Sequence, residues 1–71
     1  MDVSVRIKPK SNKNTIESFG NNRYLVYLQS DLNEPAMWAE LFAMLSRKFG
    51  VPQNRIELRR DTGADKVFMI S

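Results

Sequence analysis

The chain has 71 residues, with 11 Lys and Arg against 8 Asp and Glu for a net charge of +3, and it contains neither cysteine nor histidine. That length holds one domain, 1–71, whose core must be compact and continuous because a chain this size buries only about 60% of its unfolded surface. Disulfide frameworks, thiolate metal sites and imidazole chemistry are closed to it, and no apolar run approaches the roughly 20 residues of a membrane span. The opening "MDVSVRIKPK" has no apolar block of signal-peptide type, so a soluble, cytoplasmic protein is expected.

In chain order, Val3, Val5 and Ile7 alternate with Ser4, Arg6 and Lys8, the period-2 pattern of a half-buried strand. Pro9 cannot donate to a ladder and marks the strand's end or an edge. After the polar connection Lys10 to Asn14, two segments (Thr15 to Phe19 and Arg23 to Gln29) flank "GNN", a hairpin turn whose residues tolerate positive φ. A helix follows, with Asp31 or Asn33 as cap and Pro35 in the first turn. Its stripe is Trp38, Leu41, Phe42, Leu45 and Phe49, which at roughly 1.5–3 kcal/mol each contributes on the order of 10 kcal/mol gross. Met37 and Met44 join that group, which reads as core and not as a ligand box. Arg47 and Lys48 complement the dipole, Gly50 caps in the left-handed region, and Pro52 stops the helix. Arg55 to Arg59 alternates around Ile56 and Leu58 as a further strand, "RDTGAD" turns the chain, and Lys66 to Ile70 forms the last strand. The expected fold is α+β: a two-layer sandwich with one main helix packed on a largely antiparallel four- to five-stranded sheet.

"DTGA" from Asp61 to Ala64 spells the catalytic loop of the aspartic proteases. That chemistry needs two carboxylates sharing a proton, a flap over the substrate and a later segment packed against the loop. The few residues after Gly63 hold none of these, and arginines stand at 59 and 60 where that loop is preceded by apolar side chains. Those arginines are expected to keep Asp61 ionised. A turn explains the letters better: Asp61 and Thr62 bond the local backbone and Gly63 supplies positive φ. Asp31 with Glu34, and Asp61 with Asp65, are the only closely spaced carboxylates, and they read as caps and turn formers. No catalytic set, metal site or cofactor site is expected, and the chain reads as non-enzymatic.

Four further stretches carry a resemblance. They are "VSVRIKPKSNKN", "RYLVYLQS", "LFAMLSRKFGVPQNRIEL" and "TGADKVFMI", which together span nearly the whole chain. They resemble, respectively, the opening strand and Lys-Pro pair, the second strand, the helix end with its Gly-Val-Pro turn and third strand, and the final strand of the YggU-like family. The resemblance implies a small two-layer α/β fold and no assigned activity. The family's Gly-Lys-Ala-Asn segment at the helix start is replaced here by "NEPAMW", and many members continue into a second, C-terminal helix that these residues do not include.

If Val3, Val5 and Ile7 face the helix, alternation turns Arg6 and Lys8 away from it, together with Leu25 and Tyr27 and with Arg55 and Arg59. Cations around an exposed tyrosine suit single-stranded nucleic acid, RNA in particular, with stacking on bases and cations on phosphates. The simpler account is an ordinary solvated sheet face. A different class of function rests on Leu25 with Val67 or Met69, which would leave apolar area uncovered on the same face. That patch points to a protein partner or a weak homodimer in place of a simple monomer.

Overall fold

The computed structural model describes all of residues 1–71. Strands β1 (Asp2–Lys8), β2 (Thr15–Ser18), β3 (Arg23–Tyr27), β4 (Ile56–Asp61) and β5 (Asp65–Ile70) form one sheet, and helix α1 (Pro35–Phe49) lies between β3 and β4 in the chain. The strand order across the sheet is β2-β3-β1-β5-β4. All neighbours are antiparallel except the central β1 and β3, which run parallel with Val5 opposite Tyr24 and Lys8 opposite Tyr27. The fold is therefore α+β, one helix covering one face of a five-stranded mixed sheet, and no helix is long and apolar enough to cross a membrane.

Alternation decides which face is covered. Val3, Val5 and Ile7 of β1, Val26 of β3 and Phe68 and Ile70 of β5 are buried beneath Met37, Leu41 and Leu45 of α1. Met37, not Trp38, begins the buried stripe; Trp38, Phe42 and Phe49 pack around its margin, half-buried. Phe42 meets Phe68 edge-on at 5.6 Å, and Tyr24 meets Phe49 edge-on at 5.3 Å, the arrangement that the ring quadrupoles favour.

The ends of α1 are set differently from one another. Glu34 occupies the N-cap position without a side-chain cap, while its carboxylate accepts the Asp31 N–H at 2.9 Å and Asp31 caps the next amide of its own loop. Neither Asp31 nor Asn33 therefore caps the helix: Glu34 holds the N-cap position, and Pro35 at the first helical position has no N–H to satisfy. At the other end Gly50 is left-handed at φ 66°, the Val51 N–H bonds back to the Ser46 carbonyl, and Pro52 follows. That is the glycine-terminated stop anticipated from the sequence. The chain then makes a short 3₁₀ turn, Gln53–Arg55, before β4 begins at Ile56.

A β-bulge in β4 has the largest consequence for the surface. Leu58 sits opposite Phe68 but Arg60 sits opposite Val67, so Arg59 is an extra residue on this edge strand. Beyond the bulge the alternation of β4 is inverted. Arg60 comes to the face away from the helix, and Asp61 comes level with Lys66 on the helix side.

Candidate nucleic-acid interface

The face away from α1 is read off the registers. From the β2 edge inward, one row across it runs Glu17, Leu25, Arg6, Asp65; the next toward the β3 exit runs Thr15, Tyr27, Lys8. In the row on the other side, Phe19 donates its N–H to the Arg23 carbonyl at 2.9 Å and so extends the line Arg23, Ser4, Val67, Arg60. Phe19 is 59% exposed, the most exposed large apolar side chain in the chain. Leu25 and Tyr27 are half-buried against their neighbours. Along Leu25 lies an open hollow of roughly 690 Å³ whose lining includes Phe19, Arg23, Leu25, Arg6, Lys8 and Asp65 but not Tyr27.

Of the residues singled out from the sequence, Arg6, Lys8 and Tyr27 are brought together on adjacent strands. Arg55 and Arg59 are not brought to them. Arg55 belongs to the 3₁₀ turn before β4 and not to the strand, at the opposite end of the sheet from Lys8, about 25 Å away at 3.3 Å per residue. Arg59 is the bulged residue of the far edge, about 10 Å across the sheet from β1, and its guanidinium donates to Glu57 at 3.3 Å. Alternation alone missed both because it takes no account of a turn that delays the strand or of a residue inserted into it.

Carboxylates offset part of the charge on this face. Arg6 makes a two-pronged pair with Asp65, Nε to Oδ1 at 2.9 Å and an Nη to Oδ2 at 3.2 Å. Both side chains are more than half exposed, so the pair contributes little and can be exchanged for a phosphate. Glu17 lies diagonally across from Tyr27; its hydrogen bond to the phenol, then desolvation, then its negative charge push the phenol above its ordinary value. Lys8 and Arg23 have no ion-pair partner within the chain.

Phe19 and Arg23 were not singled out in the sequence. The "GNN" hairpin holds the signal, since a turn with Gly20, Asn21 and Asn22 all at positive φ places Phe19 opposite Arg23 and so on the face of Leu25 and Tyr27. The segment Asp61 to Asp65 forms the turn expected of it: Gly63 has φ 88°, its N–H donates to Asp61 Oδ1 at 3.0 Å, and the Thr62 hydroxyl donates to the Asp65 carbonyl at 3.0 Å. The partner that keeps Asp61 ionised is Lys66, not the arginines before it. Lys66 is 3% exposed and its Nζ donates to Asp61 Oδ1 at 2.7 Å and to the Gly63 carbonyl at 2.6 Å. That hydrogen bond, then the one from Gly63 N–H, holds the carboxyl below its usual range.

No group of three or more metal-ligating side chains converges anywhere in the fold. Comparison of the chain with protein-family models, with curated proteins and with solved structures finds no match.

Proposed function

We propose that the β2–β3–β1 half of the uncovered sheet face binds a short single-stranded nucleic acid, RNA in the first instance. One observation carries the reading: the strand registers gather two aromatics, exposed Phe19 and half-buried Tyr27, on one surface with Leu25, and flank them with Arg6, Lys8 and Arg23. From the register, Phe19 and Tyr27 stand about 14 Å apart, four residues along the strand and one strand across. Bases stack on the rings and on Leu25 between them, while the cations meet phosphates. Two stacks at roughly 1–3 kcal/mol each, with modest phosphate contacts, give a dissociation constant on the order of 100 µM. The same reading makes the protein a binding module and not a catalyst. The YggU-like resemblance belongs to it as well, and the two-layer order of elements is in keeping with that resemblance.

Amide NMR titration with a mixed-sequence single-stranded RNA, at low and at physiological salt, tests the reading. Salt-sensitive shifts confined to β1, β2 and β3, lost in Phe19→Ala/Tyr27→Ala, are expected. Unmoved resonances at low salt end it.

The other half of the face favours a second reading. Val67 and Met69 of β5 lie half-buried there with no second layer over them, and an uncovered apolar strip of this kind suits a protein partner or a second copy of the chain. Sedimentation across a concentration series distinguishes it: a salt-insensitive dimer, with Met69→Asp restoring the monomer, is the expected result.

A further inference from the structure

The cations continue beyond Tyr27. At the same corner of the sheet, Lys10, Lys13, Thr15, Glu17 and Tyr27 line a second hollow of about 480 Å³. On the helix side of β2 a third, of about 240 Å³, is lined by Asn14, Thr15, Met44, Arg47 and Lys48 among others. Thr15 belongs to both, so the two hollows meet across the free edge of β2. Lys13, Arg47 and Lys48 are exposed and engaged in no ion pair, whereas Lys10 is held by Asp31 at 3.5 Å. On the far side of the sheet Arg59 and Lys66 are matched by Glu57 and Asp61, while Arg55 and Arg60 stand exposed without an ion pair and no hollow gathers them.

The loop that presents these lysines is also tied down. Lys10 and Ser11 donate their N–H groups to the carbonyls of Ser30 and Leu28, and Gln29 bonds back to Asn14 through its N–H and to Asn12 through its side-chain amide. A loop fixed in this way loses little further freedom when it meets a ligand.

We infer that a longer single strand leaves the sheet at Tyr27, crosses the β1–β2 loop and the free edge of β2, and ends at the last turn of α1. On this path Lys13, Arg47 and Lys48 contact its phosphates. The inference rests on the single-strand reading of the sheet face and extends its footprint from a few nucleotides to a strand long enough to wrap the β2 edge. A short oligonucleotide touches the sheet alone; a longer one reaches the loop and the helix end.

The test compares oligouridylates of four and of twelve nucleotides across a salt series, by NMR titration of the full chain. The slope of log affinity against log salt is read and not the affinity, because a longer strand gains affinity merely from its extra registers. Each phosphate neutralised on a single strand adds about 0.7 to the slope, so three contacts make the longer strand steeper by about 2. Lys13→Ala/Arg47→Ala/Lys48→Ala is expected to bring the longer strand back to the slope of the shorter one and to leave the shorter one unchanged. Lys13→Ala alone, in an exposed loop, is expected to remove about 0.7. Equal wild-type slopes for the two lengths, or a wild-type slope for the longer strand in the triple variant, overturn the path while leaving the sheet site intact. Failure of both strands to bind at low salt overturns the sheet site and the path together.

Discussion

Lys66 and Asp61 form the one ion pair in this protein with a buried member, and the cost of removing each is expected to differ. The Lys66 side chain is 3% exposed and that of Asp61 37%. The Lys66 ammonium lies 4.7 Å from the centroid of the Trp38 ring and donates to both Asp61 and the Gly63 carbonyl. In Lys66→Met the apolar stem stays in the core, and the freed carboxylate and carbonyl turn to water. Lost charged hydrogen bonds are then largely offset by relief from burying the charge, leaving about 1 kcal/mol. In Asp61→Ala the ammonium stays buried with one carbonyl and a ring face. A stranded buried charge costs roughly 3–5 kcal/mol. The remaining acceptor and the flexible lysine stem bring this down to about 2–3 kcal/mol. Thermal unfolding followed by circular dichroism, with urea titration beside it, reads the difference. At about 4–8 °C per kcal/mol for a domain this size, Asp61→Ala is expected to lower Tm by about 10–20 °C and Lys66→Met by about 5 °C. Lys66→Met as damaging as Asp61→Ala would refute the reasoning, since the carboxylate would then depend on the lysine as much as the lysine depends on it.

The same pair sets an acid limb. Because its folded pKa is depressed, Asp61 contributes stability above its unfolded value near pH 4 and loses it as the pH falls through the folded value. The Tm gap between wild type and Asp61→Asn is therefore expected to be full at neutral pH and to close below about pH 4, as thermal melts across that range would show. Ultraviolet titration of Tyr27 is expected to find its midpoint above the ordinary value of 10, returning toward it in Glu17→Gln; no change in that variant would place the cause elsewhere. Gly63→Ala meets no atom within 4 Å at its new Cβ but keeps φ at 88°, so the cost is backbone strain alone, about 1 kcal/mol by urea denaturation. Met37→Ala, at a side chain 1% exposed, is expected to cost about 3 kcal/mol, with half-buried Met44→Ala costing about half as much.

The bulge in β4 links stability to surface. It turns Asp61 toward Lys66 and thereby fixes the β4–β5 turn, and in doing so it brings Arg60 to the uncovered face. It also interrupts the exposed edge of β4, which carries charged side chains at Glu57, Arg59 and Arg60. Bulges and charges of this kind discourage edge-to-edge pairing with other chains. On the β2 edge the same protection comes from brevity, since that strand is four residues long, with lysines in the loop before it.

Local pattern determined a large part of this protein. Period-2 alternation in β1 was enough to assign Val3, Val5 and Ile7 to the core and Arg6 and Lys8 to the other face, because side-chain direction along a regular strand depends on nothing beyond the strand. Gly50 with Pro52, and Gly63 behind Asp61, marked a helix end and a turn because the conformations they permit are local. The inward place of Lys66 was not read from the sequence, since a lysine is seldom buried. What the chain did not disclose depends on contacts between distant segments. That β3 returns beside β1, and in parallel, decides that Tyr27 neighbours Lys8 and that Phe19 joins their surface; pairing partners are chosen by the packing of the whole sheet beneath α1. The bulge at Arg59 is settled by how β4 must fit β5; the place of β4 at the far edge parts Arg59 from the cations it was grouped with, and the 3₁₀ turn before β4 parts Arg55 from them. Periodicity assigns a side chain to a face, but only the order and register of the strands decide which side chains on that face are neighbours.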